Sequence, residues 1–285
     1  MAKISIMTMA FGEELASGKL DDVAMLALLQ DIGFDGVELA SRRLMQSPEM
    51  QHTYRGNLAE STLEVTCLDV LCNFIGADPA TRGKGVEDLL NGIELAQSMG
   101  APLVLAAGSK LEDGISPEDG RKMIAEGLQA CISEAEDAGI TLAIEDYGVA
   151  PTLQCSSSHC LEILDAVPGL AFVFDTGNFY FCGEDPLDAF DKVADRTVYV
   201  HIKDWVRSER PVLADVAGCH VGEGIIPNDT LIKRFLEKGN VDTFSLELTV
   251  MKERMTAAER DYATIRNWLE HSPREDGCWK NRRRL

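Results

Sequence analysis

Large and small apolar positions alternate through LAFVFDTGN at 170–178, where bulky Phe172 and Phe174 interleave with Ala171 and Val173 and Asp175 falls on the small-residue side. Three further stretches repeat the design: TLAIED with Glu145, TVYVHIKD with His201, and TFSLELTV with Glu247. In each, the large apolar residues (Leu142 and Ile144; Val198 and Val200; Phe244, Leu246 and Leu248) share one parity and the carboxylate or imidazole takes the other. A β-strand sends successive side chains to opposite faces. With helices over the bulky side, Glu145, Asp175, His201 and Glu247 point into one enclosed space near the carboxyl ends of four strands. A single carboxylate at a strand end is often only a loop residue or a helix cap. Four on one parity, each costly to bury alone, predict a shared site.

Between the strands the period lengthens to that of helices. An Asp21 cap opens a helix with Val23, Leu26, Leu29 and Ile32 on one face and Gly33 at its end, and GVELA follows with Val37 and Leu39 opposite Glu38. Gly100, Gly139, Gly169 and Gly239 mark similar helix-to-strand junctions, since glycine closes a helix in the left-handed conformation without a Cβ clash. Ser116-Pro117-Glu118-Asp119 reads as a helix start and Thr256 to Glu259 as a capping box. Val86, Leu89, Leu90, Ile93 and Ala96 form an apolar stripe. Strands are predicted near 3–9, 36–40, 65–70, 102–107, 141–146, 170–175, 197–203 and 243–249. Their alternation with helices predicts an α/β protein, a single (β/α)8 TIM barrel over 1–271 with a basic tail at 272–285. An open doubly wound sheet is the competing architecture, but its ligands gather at a switch point and not across consecutive strand ends. The long stretch between His201 and Glu247 predicts a loop, 205–227, that closes over the pocket.

The chain has 285 residues and a net charge of −20, which opposes binding to nucleic acid or an anionic membrane. The tail adds five basic residues against two acidic. Eight cysteines (67, 72, 131, 155, 160, 182, 219 and 278) contain no CxxC pair and read as reduced core thiols. No signal peptide or membrane-spanning run is evident, so a soluble cytoplasmic protein is expected. A homo-oligomer is left open.

Three carboxylates and one imidazole suit a divalent ion: manganese first, with magnesium, cobalt or zinc as alternatives, though no cysteine is placed to ligate zinc. Such an ion binds a carbonyl and a neighbouring hydroxyl of a sugar, and a nearby carboxylate then takes the α-proton. IED at 144–146, FDTGN at 174–178, HIKD at 201–204, GEGII at 222–226 and LEL at 246–248 together resemble the sugar phosphate isomerase/epimerase superfamily of xylose isomerase-like barrels, in the branch of D-tagatose 3-epimerase and inosose dehydratase. The resemblance implies Glu145, Asp175, His201 and Glu247 as metal ligands, with Glu145 and Glu247 as the acid/base pair on opposite sides of the substrate carbon. It also implies substrate contacts from Arg207; Lys203, on the parity of His201, together with Asn178 and Glu38, is counted among the same contacts. Ketose 3-epimerases carry a histidine where this chain has Asn178 and a second glutamate where it has Pro151. His159 and His220 are candidate replacements as proton carriers.

The activity expected is a metal-dependent sugar isomerase or epimerase in carbohydrate metabolism, with a small-molecule sugar or polyol as partner. A dehydratase or lyase of a keto-inositol or keto-glycoside would use the same proton abstraction. An apurinic-site endonuclease would need more histidines than five and a less acidic body. A non-catalytic sugar-binding barrel has little need of two opposed glutamates.

Overall fold

A computed structural model describes residues 2–209, 214–250 and 252–271. Eight parallel strands close into a barrel: β1 (Lys3–Met7), β2 (Gly36–Ala40), β3 (Glu64–Leu71), β4 (Leu103–Ala107), β5 (Thr141–Glu145), β6 (Ala171–Asp175), β7 (Thr197–Ile202) and, after a hairpin of β8 (Trp205–Arg207) and β9 (Val216–Gly218), β10 (Thr243–Leu246). Around the barrel β10 lies between β1 and β7, and the other strands follow in chain order. The expected (β/α)8 architecture is therefore the fold. Two strands end two or more residues short of the predicted bounds: Thr8–Phe11 winds into a 3₁₀ turn, and Glu247 lies just beyond β10. The tail at 272–285 and its Cys278 lie outside the described residues.

The period-two pattern divides the core into two layers. Leu142, Ile144, Phe172, Phe174, Val200, Phe244 and Leu246 join the helices in the main apolar cluster outside the barrel. Phe174 meets Phe235 of the helix Asn228–Lys238 edge-on, with ring centroids 5.3 Å apart. The opposite parity supplies the inner cluster of Cys67, Leu103, Leu105, Ala143, Ala171, Val173 and Tyr199. Small residues at 143, 171 and 173 suit a barrel interior too narrow for eight bulky layers. Val198, expected on the helix-facing side, is exposed near the amino end of β7, and Val23 is exposed in the first turn of its helix.

Asp21 accepts from Ala24 N as the expected cap, and Gly33, Gly100, Gly139, Gly169 and Gly239 all have positive φ. The Thr256 capping box does not form: the last helix runs Arg254–His271, so Thr256 lies inside its first turn. Register does the rest of the positioning. Asp175 pairs with His201 across β6 and β7, Ser245 pairs with His201 across β10, and Glu145 pairs with Val173.

Candidate active site

At the carboxyl end of the barrel each motif holds one side chain by backbone hydrogen bonds. In FDTGN, Asp175 Oδ1 accepts from Gly177 N at 2.9 Å and Asn178 N at 3.0 Å, which leaves Oδ2 directed at the interior. Gly177 is required there by close approach, because a Cβ would sit 2.5 Å from Lys203 Cγ and 2.6 Å from Trp205 Nε1. In IED, the buried Asp146 accepts from Asp175 N at 2.8 Å and so ties β5 to β6 behind the site. Burial pushes Asp146 well above the usual carboxylate range.

Glu145, Asp175 and His201 converge: one ligand atom of each lies within 4.8 Å of the others. His201 Nδ1 stands 3.3 Å from Glu145 Oε2 and 3.8 Å from Asp175 Oδ2. Nδ1 is fully buried and has no hydrogen-bond partner. The other ring nitrogen, Nε2, lies 2.9 Å from Glu38 Oε1. Burial opposes a charge on His201, but Glu38 and Glu145 outweigh it and raise its proton affinity well above the ordinary value. Positive charge at Nδ1 is what this surrounding favours, whether a proton or a metal ion. An imidazole nitrogen facing two carboxylates, its other nitrogen held by a third, is a set of donors that could hold a divalent ion.

Glu247 stands outside that group of three. Its carboxylate is the most open of the site's three, with 32 % of the side chain exposed, and lies 2.7 Å from Lys203 Nζ. Lys203 also reaches Asp175 Oδ2 at 2.8 Å and Asn178 Oδ1 at 3.1 Å. Burial disfavours the ammonium, yet the surrounding Asp175 and Glu247 charges raise its pKa above the ordinary lysine value. Burial likewise works against an ionised Glu247, and Lys203 outweighs it, so Glu247 stays below its usual range. Burial pushes Asp175 up to about 8 against the pull of Lys203.

The remaining sequence candidates fall elsewhere. Glu38, expected to touch substrate, is 1 % exposed and lies behind His201, where it also accepts from Tyr199 Oη at 3.1 Å. Asn178 spends both ends of its amide on the protein, donating to Asp146 O at 2.7 Å and accepting from Lys203. Arg207 projects from β8 into an exposed pair with Asp215 at 2.6 Å. His220 pairs with Asp261 of the last helix at 2.8 Å, and His159 sits in the helix Ser157–Ala166. Cys67 stands with Glu38 and Asp69 in a separate group, and no cysteine joins Glu145, Asp175 and His201 among the described residues.

Asp204, which closes the HIKD motif, is buried and is not marked out by strand parity. Its buried carboxylate accepts from the backbone N–H groups of Trp205, Gly222, Gly224 and Ile226 at 2.9–3.1 Å, pinning the GEGII segment over the end of β7. A Cβ on Gly224 would lie 2.1 Å from Asp204 Oδ1. The stretch 205–227 is thus built on the hairpin β8–β9 and one carboxylate, with 210–213 outside the described residues. A cavity of about 380 Å³ opens beside Glu247, lined by Met7, Met9, Ala10, Leu248 and Arg254 among others. Among the described residues no helix is long and apolar enough to cross a membrane.

Comparison with known proteins agrees with the barrel fold. Residues 26–271 match the family described as xylose isomerase-like TIM barrel. The chain is 24 % identical over 258 residues to L-ribulose-5-phosphate 3-epimerase UlaE of Escherichia coli K12, covering 86 % of this chain and 87 % of that protein. The structure of an L-ribulose 3-epimerase superposes with a TM-score of 0.75 at 22 % identity, covering 95 % of this chain and 96 % of that one. The IolI protein with a bound zinc atom superposes with a TM-score of 0.76 at 17 % identity, over 95 % and 99 % of the two chains.

Proposed function

We propose, from the premise that this chain belongs to the xylose isomerase-like TIM barrel family, that it is a divalent-metal-dependent isomerase or epimerase removing a proton next to a carbonyl of a sugar or cyclic polyol. One observation carries the reading: the buried, partnerless Nδ1 of His201 facing Glu145 and Asp175. These three residues would hold the ion, with Glu247 as the fourth candidate. A divalent ion bound there supplies a Lewis acid that polarises the carbonyl and stabilises the charge left by the departing proton.

The chain's own groups account for the proton. Glu247 is ionised beside Lys203 and is the open carboxylate, so it is suited to take the α-proton, while Glu145 on β5 is the partner for the opposite face. Lys203 keeps two neighbouring carboxylates from repelling each other as charge moves. Trp205 donates its indole N–H to Gly177 O at 3.1 Å, with its ring centroid 5.8 Å from Lys203 Nζ. Similarity to a ribulose-phosphate epimerase supports sugar as the substrate class.

The metal reading is tested by elemental analysis of protein prepared without chelator. About one manganese, magnesium, cobalt or zinc ion per chain is expected, lost in His201→Ala and Asp175→Ala. Unchanged metal content in both variants would remove the site. Product analysis then separates epimer from eliminated product, since a dehydratase or lyase yields an unsaturated ketone absorbing in the ultraviolet.

A further inference from the structure

A second group of potential ligands, Glu38, Cys67 and Asp69, lies within 4.8 Å of mutual contact in the barrel interior, every member buried. It adjoins the first group, because Glu38 contacts His201 Nε2 at 2.9 Å through Oε1 and 3.2 Å through Oε2. The same carboxylate accepts from Tyr199 Oη at 3.1 Å. Tyr199 in turn shares a 2.8 Å hydrogen bond with Thr66 Oγ1, and Thr66 shares one of 2.6 Å with Ser5 Oγ. Polar side chains of β1, β2, β3 and β7 therefore form one chain through the barrel that ends on the imidazole.

A carboxylate at 1 % exposure is costly unless something answers its charge. Here the answer is an N–H from His201 and an O–H from Tyr199. The contact also fixes the imidazole. An ionised carboxylate only accepts, so the ring nitrogen facing it must carry the hydrogen. A neutral imidazole then has its single lone pair on the other nitrogen, Nδ1, which faces Glu145 Oε2 and Asp175 Oδ2. Tyr199 packs edge-on against the ring, with centroids 5.7 Å apart, which limits its rotation. Burial, with Glu38 beside it, pushes Asp69 well above its ordinary range.

We propose that Glu38 is a positioning residue of the metal centre, holding the hydrogen of His201 on Nε2 so that Nδ1 ligates, and that Glu38, Cys67 and Asp69 house this anion and do not form a second metal site. The inference rests on the metal reading above. It also reassigns Glu38 from the substrate to the ligand that the substrate's metal depends on.

The test is calorimetric titration of chelator-treated protein with manganese or zinc alone, together with thermal melting of each metal-free protein. Glu38→Gln keeps the shape but loses the charge and offers an amide that can present either end to Nε2. It is expected to weaken metal binding by about 10- to 100-fold, the usual effect of removing such a partner, with the metal-free melting temperature close to the parent's. In the zinc-loaded parent labelled with 15N-histidine, His201 should carry its hydrogen on Nε2, and that proton should show the downfield shift and slow solvent exchange of a hydrogen bond to a buried carboxylate; an Nε2 proton without them would overturn the role of Glu38 even if Glu38→Gln fails to fold. Metal affinity unchanged in Glu38→Gln, or a hydrogen found on Nδ1, would overturn the proposal while leaving the metal site standing. Two ions per chain, one lost in Asp69→Asn, would overturn it in favour of a second metal site. A parent that binds no metal would end both readings.

Discussion

Lys203 Nζ stands 2.7 Å from Glu247 Oε2, so the most open carboxylate of the site is neutralised by a lysine that is itself buried. The same ammonium lies 2.8 Å from Asp175 Oδ2, an atom proposed to ligate metal. Lysine and metal ion therefore draw on one set of anions. Lys203→Met should make the metal-free protein less stable, because Asp175 and Glu247 lose their counter-charge, and should tighten metal binding by about tenfold or more, because a competing cation is gone. Calorimetric titration checks the sign: weaker binding in Lys203→Met would show that the lysine supports the ion.

Asp204 holds four backbone N–H groups of the segment that covers β7. Asp204→Ala strands those donors in a buried setting and should destabilise the protein by about 3 kcal/mol. Hydrogen exchange at 222–226 should rise far more than exchange in the barrel strands. Uniform exchange would mean that the segment is held by something else.

The pair of His220 and Asp261 gives a pH dependence of stability. Burial raises Asp261 to about 6 in the folded chain, against an ordinary value of 3.8. Between those two values the unfolded chain has released this proton and the folded chain has not, so this residue's contribution falls as pH rises through that window and is fully present below it. Asp261→Asn cannot titrate. Denaturant melts from pH 4 to 6 should therefore show a less negative slope of stability with pH in the variant; an unchanged slope would contradict the assignment.

Cys182 differs from the other thiols. A hydrogen bond from Cys155 lowers it to about 7, whereas burial raises the similarly accessible Cys219 to about 12. Brief iodoacetamide treatment at pH 7 should label Cys182 before Cys219, as read by peptide mass spectrometry. Equal labelling would contradict the difference between them.

Parity along single strands was enough to read the barrel and the inward placement of Glu145, Asp175, His201 and Lys203, because helix-facing bulk and interior polarity alternate with a period of two. What parity does not carry is the partner across the barrel. Glu38 is 163 residues from His201, and its inward direction alone suits a substrate contact as well as a hydrogen bond behind the imidazole. Arg207 is not placed by parity at all: the chain leaves the barrel after Ile202, and the hairpin that β8 begins sets it beside Asp215. Asp204 was legible in principle, since an acid followed by GEG offers a carboxylate and a segment of close-approaching N–H groups, but their proximity depends on a fold of about twenty residues between them.

The central claim is that Glu145, Asp175 and His201 bind a divalent ion that allows Glu247 to remove a proton from the carbon next to a sugar carbonyl. It is tested most directly by incubating a panel of ketoses, inososes and keto-glycosides with the enzyme in deuterium oxide and reading isotope uptake by mass spectrometry. At least one compound should gain a single carbon-bound deuterium with manganese present and none with chelator. The rate should fall by about 10²–10⁴ in metal-saturated Glu247→Gln, the usual contribution of a positioned base. Uptake that continues at the parent rate in chelator, or in metal-saturated Glu247→Gln, would contradict the assignment of the metal or of the base respectively, and no uptake across the panel would contradict proton abstraction itself.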